Sequence, residues 1–238
     1  MAVRLTDADG AVGYGEAPQI WRVTGESLAS IKACILGPLA DALLGLEVGD
    51  AGEIAAALDR AVAGNTGARA ACEIAAHDLV ARREGRSLAA SLGASADEVA
   101  TDVTMAAATA AAAVDVAPAG FTQVKVKVGL DPDDVARVIL IHQNSEVPLS
   151  IRVDANQAWD VPTATAAIAA WTSAGVALDF LEQPLPAWDL AGLAELRRRI
   201  PTPIVADESV FSIHDLRRAI EAQAADIVNI KLAKCGGL

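Results

Sequence analysis

The sequence predicts an α/β chain built on a (β/α)8-type barrel, with about six βα units present, preceded by a small α+β unit. Three observations carry that prediction. Short β-branched runs alternate with alanine-rich stretches after residue 100, charged residues close successive runs at near-equal spacing, and the first hundred residues follow neither pattern. The boundary falls between residues 99 and 100, giving domains 1–99 and 100–238.

In the first domain, "VRLTDADGAVGYGEA" reads as two short strands joined by an Asp-Gly turn. Helical stretches follow at about 27–46, 50–62 and 67–84, the last opening at Asn65-Thr66-Gly67 and carrying Glu73 and His77 one turn apart. The pair Gly13-x-Gly15 lacks the third glycine and the following helix that a phosphate loop requires, so it reads as a hairpin bend.

Beyond residue 100 the runs are "DVTMA" (102–106), "TQVKVKV" (122–128), "PLSIRVD" (148–154), "ALDFLE" (177–182), "PIVAD" (203–207) and "DIVNIK" (226–231). Strands alternating with helices imply βαβ units and a parallel sheet covered on both faces. Periodicity alone suits a barrel or a doubly wound sheet equally. The strand ends decide: Lys127, Asp154, Glu182, Asp207 and Lys231 each close a run, 27, 28, 25 and 24 residues apart. A barrel gathers all strand C-termini round one mouth, where its catalytic groups come from different strands.

Composition narrows the function classes. A chain of 238 residues that is 53% hydrophobic can bury a sizeable core. Its net charge of -12 and pI near 4.6 argue against a nucleic-acid partner, which needs clustered Lys and Arg. Every apolar run is broken before the roughly 20 residues a membrane span needs. Arg4, Asp7 and Asp9 stand where an export signal would be apolar, so the expected location is the cytoplasm. Cys34, Cys72 and Cys235 show no paired spacing and read as free thiols. Trp21, Trp159, Trp171 and Trp188 read as packing groups.

Asp154, Glu182 and Asp207 would point inward from adjacent strands at similar heights. Taken singly, each also fits a cap on the following helix. Three at one repeat spacing favour a shared cation, and oxygen-only ligation favours Mg2+ over zinc. Lys127 and Lys231, four strands apart in an eight-stranded ring, would face each other across the mouth. Lys125 projects to the same face as Lys127, and a like charge so near would lower a buried lysine toward the range of a general base. A divalent ion on a substrate carboxylate, with a lysine on each side, describes removal and return of the α-proton. One acting lysine would instead permit elimination or cycloisomerisation. Asn156 and Gln157 stand where they could orient Asp154, and Glu208 where it could bond a catalytic lysine.

Five motifs in order, "KVKVG", "RVDANQAW", "LEQPLP", "VADESV" and "NIKLAKCGG", with "GYGEA" and "NTGARAACEIAAHDLVARREG" before them, resemble the enolase superfamily in its muconate-lactonizing subgroup. The resemblance covers the whole chain and makes residues 1–99 a capping domain. It implies that Asp154, Glu182 and Asp207 are magnesium ligands, Lys127 and Lys231 the acid/base pair, and Lys125 an electrostatic helper near the substrate carboxylate. "IRVDANQAW", "VADESVF" and "NIKLAKCGG" look most like dipeptide epimerases of the L-Ala-D/L-Glu type. Muconate cycloisomerases, o-succinylbenzoate synthases and N-acylamino acid racemases share the scaffold. Mandelate-racemase-type members resemble it less, since none of His77, His142 and His214 ends a strand.

Against the family's pattern, the counterparts of the first capping strand and of the seventh and eighth βα units are missing. "KCGG" is expected to turn toward a helix that the chain lacks. Open strand edges and exposed apolar helix faces imply aggregation or completion by another chain, and a homo-oligomer is expected. Two readings follow: a working epimerase on a dipeptide or N-acylamino acid whose full sequence is longer, and a shortened, inactive relative that binds metal.

Overall fold

The computed structural model describes residues 1–47, 51–96, 98–106, 120–129 and 131–238. They form two compact units, one of Met1–Val99 with Ile230–Leu238 and one of Ala100–Asn229.

The first unit opens on β1 (Ala2–Thr6) and β2 (Val12–Glu16), paired antiparallel with Thr6 opposite Val12. Asp7 fastens the turn, its carboxylate accepting the N–H groups of Asp9 at 3.0 Å and Ala11 at 2.8 Å, while Gly10 takes a φ of +86°. The stretch expected to be one helix at 27–46 is broken. A capping box of Ser27 and Ser30 starts α1 (Leu28–Cys34), a wide helical turn spans Ile35–Leu39, and α2 covers Ala40–Leu43. Pro38 offers no N–H to the turn before it, and Gly37 leaves helical space at φ −108°, ψ −111°. After α3 (Ala51–Ala61) comes α4 (Thr66–Arg83), whose first N–H groups are held by the buried Glu26 carboxylate: Gly67 donates at 2.8 Å and Ala68 at 3.0 Å. A short α5 (Leu88–Ser91) follows.

Gly13 and Gly15 lie inside β2, not at the bend. A Cβ on Gly15 would press on the Ala71 carbonyl and come within 2.8 Å of the Ala75 nitrogen, and one on Gly13 would strike Ala75 and Leu79. The glycines let the backbone of α4 cross the strand at close range, against its row of Ala68, Ala71, Ala75 and Ala76.

The second unit is a single parallel sheet of β3 (Val103–Ala106), β4 (Gln123–Lys127), β5 (Ser150–Asp154), β6 (Leu178–Glu182), β7 (Ile204–Ala206) and β8 (Ile227–Val228), hydrogen-bonded in chain order. A doubly wound sheet would reverse its strand order at a switch point; this sheet never does, as in a barrel. Between strands stand α6 (Asp134–Asn144), α7 (Val161–Ser173), α8 (Leu190–Arg199) and α9 (Ile213–Glu221). The alanine-rich stretch between β3 and β4 that reads as a helix lies outside the described residues.

Alternation sorts each strand. Val124, Val126 and Val128 on β4 and its exit, with Ile151 and Val153 on β5, pack under the helices against Val138, Ile141, Ile168 and Trp171. Trp171 donates its indole N–H to the Val135 carbonyl at 3.0 Å. Trp21 and Trp188 are exposed, which corrects the reading of all four tryptophans as packing groups. The alternate residues, Lys125, Lys127, Arg152, Asp154, Phe180 and Glu182, occupy the other face.

The chain ends on α10 (Leu232–Cys235), which packs on α4 in the first unit, and Leu238 donates its N–H to Glu73 at 2.9 Å. The glycines after Cys235 therefore close a helix instead of opening one. Gly236 takes the left-handed φ of +91° that commonly ends a helix. Among the described residues no helix is long and apolar enough to cross a membrane.

Candidate active site

Strand register sets the geometry. Lys127 stands opposite Asp154 across β4 and β5, and Asp154 opposite Glu182 across β5 and β6. Glu182 is level with Val205, so Asp207 lies two positions farther along than the level expected of it. Asp154, Glu182 and Asp207 are each at most 2% exposed.

Between the first two acids sits an ammonium. Lys125 Nζ lies 2.6 Å from Glu182 Oε2 and 3.0 Å from Asp154 Oδ2, and Lys127 Nζ reaches the same Asp154 oxygen at 3.2 Å. The two lysines differ in access: the Lys127 side chain is 44% exposed and that of Lys125 15%. Burial pulls Lys125 down, but the charges and hydrogen bonds of Asp154 and Glu182 outweigh it and hold the ammonium above the ordinary lysine range. The expectation that a like-charged neighbour lowers a buried lysine therefore does not hold at Lys125. Burial and the Asp154 charge push the Glu182 carboxyl up, partly offset by its bonds to Lys125 and Asn229.

Amides frame the cluster. Asn156 accepts from Lys127 Nζ at 2.6 Å, donates its backbone N–H to Asp154 Oδ1 at 3.0 Å, and donates Nδ2 to Glu208 Oε1 at 3.3 Å. Glu208 thus reaches the lysine through Asn156. Asn229 donates to Glu182 Oε1 at 2.7 Å. Gln183, fully buried, accepts the backbone N–H groups of Asp207 at 2.8 Å and Ser209 at 3.1 Å, and donates to Leu185 O at 3.0 Å and Ser209 Oγ at 2.8 Å. Asn156, Gln157 and Gln183, directly beyond the acids, hold positive φ of 42°, 70° and 34°. Strained backbone of this kind clusters at functional sites. Arg152, one layer below, is committed to Asp102 at 2.8 Å and stacks on Phe180.

The structure brings Lys125, Lys127, Asp154 and Glu182 together, while Asp207, two positions beyond the level of Glu182, is tied by its backbone N–H to Gln183. Lys231 follows β8 by three residues and begins α10, in the segment that groups with the first unit. Sequence reasoning missed Gln183, Asn229 and Arg152. Gln183 and Asn229 carried a signal, one adjoining a predicted ligand and the other standing two positions before a predicted base.

Among the described residues no three His, Cys, Asp or Glu side chains converge on a common point. The donor set nevertheless suits a hard cation: two buried carboxylates side by side, all oxygen, already enclosing the positive charge of Lys125.

A parallel sheet wound in one direction, with acids and lysines at the exits of its central strands, is a barrel-type chain of the architecture that the resemblance to the enolase superfamily implies. The chain belongs to that superfamily's mandelate racemase and muconate lactonizing branch: residues 1–93 match the Mandelate racemase / muconate lactonizing enzyme N-terminal domain, and residues 106–238 the Enolase C-terminal domain-like family. The family is the one its motifs resemble.

It is 34% identical over 243 residues to the L-Ala-D/L-Glu epimerase of Clostridium acetobutylicum, covering 100% of this chain and 68% of that protein. Muconate cycloisomerase 1 of Rhodococcus opacus is 36% identical over 249 residues, 100% of this chain and 66% of that one. The substrate-liganded L-Ala-D/L-Glu epimerase of Bacillus subtilis superposes with a TM-score of 0.94 at 38% identity, over 99% of this chain and 67% of that one. The Enterococcus faecalis V583 dipeptide epimerase, complexed with Mg and the dipeptide L-Leu-L-Tyr, gives 0.93 at 34%, over 99% and 67%. The chain spans about two thirds of the length of these relatives.

Proposed function

We propose that this chain carries the active site of a Mg2+-dependent epimerase, which exchanges the proton α to a carboxylate of a dipeptide between two lysines. The observation that supports it best is the half-exposed Lys127 beside two buried carboxylates that already enclose a cation. Asp154, Glu182 and Asp207 would hold the ion. When bound, the ion supplies positive charge at the substrate carboxylate and so lowers the cost of the negative charge that develops as the α-proton leaves.

The chain's own groups do the rest. Lys127 takes the proton from one face at Nζ, and Asn156 and Asp154 hold that nitrogen in place. Lys231 returns a proton to the other face, and Lys125 faces the substrate carboxylate. The relatives named as dipeptide epimerases favour a dipeptide. A cycloisomerisation using one lysine is the second reading, favoured by the identity to muconate cycloisomerase 1. The protein works in the cytoplasm, and exposed Trp188, Ile213 and Ile220 support a homo-oligomer, which light scattering would weigh.

A dipeptide library in deuterated water with Mg2+, read by mass shift and chiral separation, reports reaction and substrate together. Lys127→Ala and Lys231→Ala are each expected to abolish epimerisation and to retain α-exchange from at most one face. Full turnover in either variant refutes the two-lysine reading.

A further inference from the structure

We propose that Lys125 is a built-in counter-ion, occupying the cation position between Asp154 and Glu182 and setting the charge that an incoming metal must carry. Its ammonium lies 2.6 Å from one carboxylate and 3.0 Å from the other. Those carboxylates are level by register and 1% and 2% exposed, so without a cation they would be two adjacent buried charges. Such a pair is strongly destabilising unless neutralised. Of the other two cations named on this face, Arg152 is held by Asp102 and Asp179, and Lys127 touches Asp154 alone of the two acids. Lys125 is the residue whose ammonium touches both.

A consequence for metal choice follows from Coulomb's law. A monovalent ion would offer the carboxylates the same charge that the ammonium already provides, and would still have to shed its water. A divalent ion doubles the charge and can displace the lysine. The displaced ammonium would stay on the same strand face, beside a cavity of about 370 Å³ lined by Lys125, Arg152, Phe180, Glu182 and Asn229. It is freed for an anionic substrate only once the metal is in place. The inference rests on the proposed magnesium site but not on the identity of the substrate.

The test uses the whole chain without substrate. Calorimetric titration with MgCl2 compares the wild type with Lys125→Met and Lys125→Gln, and thermal melts are run in EDTA, in MgCl2 and in KCl at constant ionic strength. Removing the internal competitor is expected to tighten Mg2+ binding by roughly tenfold to a hundredfold, the equivalent of one charge-assisted hydrogen bond. The metal-free variants should melt lower than wild type, and KCl should stabilise them while leaving wild type unmoved. Acetylation of wild-type Lys125, followed by peptide mass spectrometry, should quicken when MgCl2 replaces EDTA, a readout that needs no variant to fold. Equal or weaker Mg2+ binding in both variants, or Lys125 reactivity that does not rise with Mg2+, overturns the counter-ion and leaves the magnesium site standing. Failure of wild type and variants alike to bind Mg2+ overturns both.

Discussion

Replacing Gln183 by leucine is expected to lower stability by about 3–5 kcal/mol. The side chain is fully buried and makes four hydrogen bonds, two of them accepted from the backbone N–H groups of Asp207 and Ser209. A leucine of similar size fills the space but offers those donors no acceptor, and it also strips a donor from Leu185 O and Ser209 Oγ. An orphaned buried polar group costs about 1–3 kcal/mol, so the two N–H groups alone give roughly 2–6 kcal/mol. Ser209 Oγ keeps its bond to Ala187 O, which limits the remainder. For a chain of this size the loss corresponds to a fall in Tm of about 10 °C. Differential scanning calorimetry and urea denaturation measure it. Gln183→Glu serves as the partner variant, since it keeps an acceptor for the two N–H groups while losing the Nε2 bonds and burying a charge. A Q183L protein melting within about 1 °C of wild type would show that the loop holding Asp207 and Glu208 is set by something other than this amide.

Two further predictions concern the first unit. Gly15→Ala forces a methyl against the Ala71 carbonyl of α4, and such overpacking costs about 1–3 kcal/mol, read as a lower urea midpoint; an unchanged midpoint would show that strand and helix separate freely. The Cys72 thiol, buried and beside Cys34, is pushed up to about 12, so iodoacetamide at pH 8 should label exposed Cys235 and spare Cys72 until the protein unfolds. The unfolded chain releases that proton near 9.0 while the folded protein retains it, so this group's stabilisation is complete below pH 9.0 and is lost as pH rises to about 12. Rapid labelling of Cys72 in the native protein would refute the buried assignment.

The strands were legible because each carries a β-branched stripe that must lie under helices, and the helices because alanine and capping residues mark them. The order of the sheet followed from where the charges fell along Lys127, Asp154 and Glu182. What escaped was long-range or stereochemical. The break at Gly37–Pro38 was visible in the residues but was overridden by helical periodicity on both sides. The role of Gly13 and Gly15 depends on α4, some 60 residues away in sequence, and no local pattern announces it. The partner of Lys125 was misjudged because its neighbour in sequence is another lysine, whereas its neighbours across the strands are two acids. Proximity along a strand is a poorer guide to electrostatics than proximity across the sheet.

The left-handed backbone at Asn156, Gln157 and Gln183 bears on how this scaffold could be engineered. A designer seeking thermostability would write glycine at each position, relieving about 1–3 kcal/mol of strain per residue. Each such change would also delete an amide that ties one strand exit to the next: Asn156 to Lys127 and Glu208, Gln157 to Ala187, Gln183 to Asp207 and Ser209. These three positions should therefore be fixed in any redesigned library, and variation spent on exposed positions that make no bond between strand exits.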